Sequence, residues 1–140
     1  MRFNVTPLTG IDEIQFGMSL DEARNAISSS YNTFKRTPAA EHPCDFYENL
    51  GLFVYYDSFA TVEALEFCEP ALLYFKGINL VASSFEDIVK FLKSIDNAIE
   101  LEGDSFTSYS LGIGGYSPDL GEDSNSACES VILFKDGYYD

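Results

Sequence analysis

A chain of 140 residues, 46% hydrophobic and 22% charged, is long enough to bury a core and too apolar for a disordered segment. Its 23 acids against 8 bases give a formal net charge of −15. That balance excludes nucleic-acid binding by phosphate neutralisation and docking on an anionic membrane, since both need clustered Lys and Arg.

In chain order, residues 1–7 hold no apolar stretch of signal-peptide type, and no segment approaches the roughly 20 apolar residues of a membrane span. Ser19-Leu20-Asp21-Glu22 reads as a capping box, with Ser at the N-cap, Glu three residues on and acids in the first turn. Leu20, Ala23 and Ile27 follow at helical spacing, and Ser28-Ser29-Ser30 ends the helix. Strand-like segments come next at 33–37, 51–56 and 62–68, with a turn-rich connector at 38–45. Ser84-Phe85-Glu86-Asp87 opens a second helix, whose apolar stripe is Ile88, Phe91, Leu92 and Ile95. Strands are predicted again at 99–101, 107–115 and 131–134, and 117–128 reads as a long polar loop.

Charge follows the same rhythm. Between Arg36 and Lys76 there is no base but seven acids, and between Lys93 and Lys135 no base but eight. Local patterns recur as well: Leu50-Gly51-Leu52 with Tyr56 resembles Leu111-Gly112-Ile113 with Tyr116, and Glu63-Ala64-Leu65 resembles Glu129-Ser130-Val131. One helix and about three strands, twice over, suggest duplication. The expected fold is α+β: a tandem repeat of a helix followed by about three antiparallel strands, the helices packed on one face of the sheet. It would form a single compact domain with related halves at about 8–70 and 71–140.

The run Ile14-Gln15-Phe16-Gly17-Met18-Ser19-Leu20-Asp21-Glu22-Ala23-Arg24 resembles the opening of the helix-plus-antiparallel-sheet modules of β-lactamase inhibitor proteins and small outer-membrane assembly lipoproteins. The resemblance covers eleven residues. It implies a helix packed on one face of an antiparallel sheet, present twice in the inhibitors, and a habit of binding proteins; it carries over no site residue. The second half departs from it, with Val81-Ala82-Ser83-Ser84 where Gly-Met-Ser would fall.

No catalytic set emerges. His42 is the one histidine, and His42-Pro43-Cys44-Asp45 is poorly spaced to converge on an ion. The three cysteines, Cys44, Cys68 and Cys128, form neither a disulfide framework nor a CxxC pair. They are expected to be reduced, with Cys68 and Cys128 buried, in a cytoplasmic protein. Gly112-Ile113-Gly114-Gly115 precedes no helix and lies near no base, so it is no phosphate cradle. Asp119, Glu122, Asp123 and Asn125 fail the EF-hand register. Neither a cofactor nor a metal is expected.

What remains are aromatic residues beside acids. Tyr is favoured at interfaces because its body is apolar and its tip polar. Acids there would steer a basic partner. The candidate partner-binding residues are therefore Tyr55, Tyr56, Asp57, Glu63, Glu66, Tyr116, Asp119, Glu122, Asp123 and Glu129. The leading expectation is an acidic stoichiometric inhibitor or toxin-neutralising immunity protein acting on a basic protein surface. An assembly module with incidental acidity and a small carboxylate-dependent hydrolase are the alternatives.

Overall fold

The computed structural model describes residues 1–35, 37–39 and 43–139; His42, and with it the His-Pro-Cys-Asp reading, lies outside them. The chain is α+β, with two helices and mostly antiparallel sheets. Strands β1 (Arg2–Thr6) and β2 (Gly10–Ile11) form a hairpin ahead of helix α1 (Leu20–Ala26). Four strands follow: β3 (Asn32–Phe34), β4 (Cys44–Tyr47), β5 (Leu52–Tyr56) and β6 (Val62–Phe67). A second hairpin, β7 (Leu72–Phe75) with β8 (Ile78–Asn79), precedes α2 (Phe85–Lys93). After it come β9 (Glu100–Glu102), β10 (Ser105–Ser108), β11 (Ile113–Tyr116) and β12 (Ser130–Phe134). Each helix is thus followed by four strands, one more than expected.

The eight strands after the helices form one antiparallel sheet in the order β3-β4-β5-β6-β12-β11-β10-β9. Its centre is the β6–β12 pair, with Leu65 opposite Leu133 and Glu66 opposite Ile132. The hairpins join in a smaller sheet, β2-β1-β7-β8, through a parallel β1–β7 pair that the sequence reading did not foresee.

Both predicted helix starts are present. Ser19 Oγ accepts from the backbone N–H of Glu22 at 3.1 Å, and Glu22 Oε1 accepts from that of Ser19 at 3.0 Å, completing the capping box. Two turns of helix are marginal alone, so α1 depends on this cap and on buried Ala23 and Ile27. Ser84 caps α2 by accepting from Asp87 N at 3.2 Å. From α2, Phe85, Ile88, Val89 and Leu92 are buried, each contributing about 1.5–3 kcal/mol as apolar burial.

These helical side chains share one core with Phe3 and Leu73 of the small sheet and with Leu52, Val54, Leu65, Phe67, Phe106, Ile113, Val131 and Leu133 of the large one. Helices and small sheet therefore cover one face of the eight-stranded sheet. Alternation along the strands turns the intervening residues to the other face. There a separate cluster forms from Cys44, Tyr55, Ala64 and Phe134, with Phe53, Ile132 and Tyr138 against it. No helix among the described residues is long and apolar enough to cross a membrane.

Candidate functional site: the open face of the large sheet

Directly opposed residues share a face, so the strand registers trace one row across the whole sheet. It runs Asn32, Phe46, Phe53, Glu66, Ile132, Gly114, Thr107, Glu100. A second stretch of the same face reads Ser130, Tyr116, Ser105, Glu102. None of these positions is Lys or Arg.

Aromatic rings dominate the first half of this face. Phe46 and Phe53 stack at 4.2 Å between centroids, Phe53 and Tyr55 at 6.2 Å, and Phe34 meets Phe53 edge-on at 6.0 Å. The C-terminal segment adds Tyr138 and Tyr139, whose rings lie 6.0 and 4.9 Å from Phe134, and Tyr109 lies 6.0 Å from Tyr139. Such pairs favour tilted and offset geometries and pre-order the surface. Phe34, Tyr109, Tyr116 and Tyr139 remain exposed, at 40–54%. Apolar residues at both parities of β5 and β12 are the signal for a strand apolar on two faces.

Carboxylates interrupt the aromatic surface at fixed places. Glu66, half-buried, receives a hydrogen bond from the hydroxyl of Tyr55. Tyr109 is likewise hydrogen-bonded to Glu100, which raises its hydroxyl above the usual tyrosine range. Around the lower end of β6 the Cys68 thiol is pushed up, first by burial and then by the negative charges of Glu66, Glu129 and Glu69. Those three acids therefore share one neighbourhood.

Apart from Lys35, which follows edge strand β3, the described bases lie away from these rows. Arg24 is on α1, Lys90 and Lys93 are on α2, and Arg2 and Lys76 stack on rings of the small-sheet residues Tyr74 and Phe75. All belong to elements on the covered side. Lys135, just past β12, pairs with Asp57 at 3.7 Å.

The ten residues singled out from the sequence separate into groups. Tyr55, Glu66 and Tyr116 lie on the open face, and Glu129 stands beside its lower end. Glu63 is the extra residue where the β5–β6 register shifts. Tyr56 points the other way, into the core: it is 8% exposed and its hydroxyl donates to Asp45 Oδ2 at 2.8 Å. Asp57 serves its own turn, accepting from the N–H groups of Phe59 and Thr61 at 2.9 and 3.0 Å and from Thr61 Oγ1 at 2.7 Å. Partial burial works against its charge, but those bonds and Lys135 hold its pKa below the usual value.

Asp119, Glu122 and Asp123 sit on the exposed loop after β11, which turns toward the start of α2. Phe85 N donates to Ser126 O at 2.8 Å, Ser84 bridges to Ala127, and Leu120 lines a hollow with Phe85 and Val89. The Asp57 turn meets the start of α1 in the same way, through the Ser19–Thr61 bridge and Leu20 N to Ala60 O at 2.9 Å. The two acidic loops therefore flank the helix N-termini and are not joined to Glu66 in one patch. Phe34, Phe46, Phe53 and Ile132 are surface residues that the sequence reading does not pick out.

Beneath the sheet, Asp45 is fully buried and gripped by Arg24 and Tyr56, which makes it a structural group. Among the described residues no group of three or more His, Cys, Asp or Glu is placed to hold a metal ion. No family model, curated protein or solved structure matches the chain.

Proposed function

We propose that the protein is an acidic protein-binding module, a stoichiometric inhibitor or toxin-neutralising immunity protein, and that its working surface is the open face of the eight-stranded sheet. One observation carries this reading. The face presents exposed and half-buried aromatic rings with carboxylates set among them and no base in its cross-strand rows, while Arg24, Lys90 and Lys93 sit on the helices. An interface core is aromatic and poor in Lys, and complementary charge selects its partner. A basic protein surface fits these terms. The short resemblance to inhibitor modules supports the same reading.

The proposal includes an internal duplication, with related halves at about 8–70 and 71–140. The strand order supports it, since the four strands after each helix run outward in reverse order from the central pair. So do the paired bridges from Ser19 to Thr61 and from Ser84 to Ala127. Duplication would explain a wide continuous face with no helix on it.

Photo-crosslinking tests the binding surface. A benzoylphenylalanine at Phe53 or Tyr116 should give one adduct with a basic protein in the native cell, in one-to-one ratio and weakened by salt. The same probe at Lys93, on the exposed side of α2, should give none. One equivalent of the protein should then abolish the partner's activity. Equal adducts from both faces, an acidic partner, or a partner left fully active would overturn the reading.

A further inference from the structure

A cavity of about 290 Å³ opens among the open-face residues, lined by Glu66, Thr107, Gly114, Tyr116, Ser130 and Tyr139 among others. Its size falls at the small end of ligand pockets, which run from about 300 Å³ upward, so it suits one side chain. The hollow exists because position 114 has no side chain. Gly114 lies in regular strand outside the left-handed region, and a Cβ there would meet an Ile132 methyl at 3.1 Å and a backbone oxygen at 3.4 Å. Backbone geometry therefore does not require glycine at this place, whereas the cavity does.

Resting on the open-face reading, we infer that this cavity is a socket for an arginine side chain of the partner. Glu66 supplies the charge, and Tyr55 fixes it by donating to Oε1. Tyr116 and Tyr139 offer π-faces at 43% and 54% exposure, and Thr107 and Ser130 offer hydroxyl acceptors. A planar guanidinium uses all three: it pairs with a carboxylate, stacks on tyrosine and donates in several directions. An ammonium uses the first chiefly, so arginine is preferred to lysine. An anion meets Glu66 and is refused.

Nuclear magnetic resonance titration with N-acetyl-arginine methylamide tests the socket, with the citrulline derivative as its neutral isostere and the lysine derivative as the rival cation. The arginine compound should shift the amides of Gly114, Thr107 and Ser130 in a saturable way, more tightly than lysine, and citrulline should leave them unmoved. Glu66→Gln should weaken binding about tenfold, the loss of one charge-assisted contact, and Gly114→Val should abolish it. Unchanged α1 and α2 resonances will show that both variants fold. Equal binding of citrulline, shifts scattered over the acidic loops instead, or full affinity in Glu66→Gln would overturn the socket. Face-specific crosslinking with no arginine binding would sink the socket alone. Arginine binding with no face-specific adduct would leave the socket and remove the protein-partner reading.

Discussion

The guanidinium of Arg24 holds the carboxylate of Asp45 with two hydrogen bonds, Nε to Oδ2 at 2.9 Å and Nη2 to Oδ1 at 2.8 Å. This pair ties α1 to β4 beneath the sheet. Its partners are unequally placed, since the Asp45 side chain is 0% exposed and that of Arg24 is 24% exposed. Arg24→Met leaves a buried carboxylate with only Tyr56 and should cost about 3 kcal/mol, as breaking a buried pair does. Asp45→Asn leaves a guanidinium that reaches water and should cost about 1–2 kcal/mol. Urea unfolding with unchanged m-values measures both. Equal costs would mean that Asp45 is better hydrated than its burial implies.

Two tyrosine hydroxyls near this pair differ in the same way. Tyr56 donates to Asp45, whereas the Tyr47 hydroxyl is buried with no hydrogen-bond partner among the described residues. Tyr47→Phe deletes an unsatisfied polar atom and should leave stability unchanged or raise it by about 1 kcal/mol, whereas Tyr56→Phe should lower it by about 1.5–3 kcal/mol. Melting temperatures that fall for both would show that Tyr47 is satisfied in solution.

The same tyrosines set the alkaline limit. Burial first, and then the charge of Asp45, push Tyr47 up to about 12, and burial with the Asp45 hydrogen bond raises Tyr56 further. In the unfolded chain both ionise near pH 10. The unfolded state then releases protons that the folded state keeps, so stability is full below about pH 10 and falls as pH rises toward 12. Tyrosinate absorbance near 295 nm should therefore leave two tyrosines silent until circular dichroism reports unfolding. Smooth ionisation of all the tyrosines in a folded protein would contradict the buried network.

Thiol chemistry should rank the cysteines. None of the three forms a disulfide among the described residues; Cys44 and Cys128 are buried and Cys68 is half-buried, so the expectation that Cys68 lies well inside is corrected. Cys68 lies just past β6, where the chain leaves the sheet, and its side chain borders a surface hollow with Glu69 and Glu129. Burial pushes Cys128 up to about 11, and a protonated thiol is a poor nucleophile. Native protein should thus label first at Cys68, slowly because of the nearby acids, and at all three only in denaturant. Rapid labelling of Cys128 would show that this part of the core opens.

Much of this fold is legible in the chain. Ser19 with Glu22, and Ser84 with the stripe from Ile88 to Leu92, mark both helices because caps and 3.6-residue periodicity are local signals. The connector expected at 38–45, from its prolines, overlaps the start of β4, where buried Asp45 is held by the distant Arg24 and Tyr56. The segment 107–115 reads as one strand but forms two, turned at Gly112 with φ +67°. The parallel β1–β7 pair left no signal, since pairing across 70 residues depends on the assembled core. At the candidate site, the sequence groups acids and tyrosines that are adjacent along the chain. A strand sends neighbours to opposite faces, so Tyr55 and Tyr56 part company.

Three glycines in one short stretch separate structural need from surface function. At Gly112 the backbone is left-handed, and a Cβ would come within 2.6 Å of Phe134 O. At Gly115 a Cβ would come within 2.2 Å of the Phe106 ring, a buried side chain packed against Phe85 at 5.4 Å. Alanine at either place forces strain or overpacking and should cost about 1–3 kcal/mol. At Gly114 the backbone is not left-handed, and the close approach is milder, an Ile132 methyl at 3.1 Å. The nearest atom is a methyl of half-buried Ile132, able to yield a few tenths of an ångström, and glycine within a strand itself costs about 0.5–1 kcal/mol relative to alanine. Gly114→Ala should therefore melt at or above the temperature of the unsubstituted protein, with Gly112→Ala and Gly115→Ala well below. A large loss at position 114 would show that glycine is kept there for folding, and would take away the argument that the hollow above it exists for a ligand.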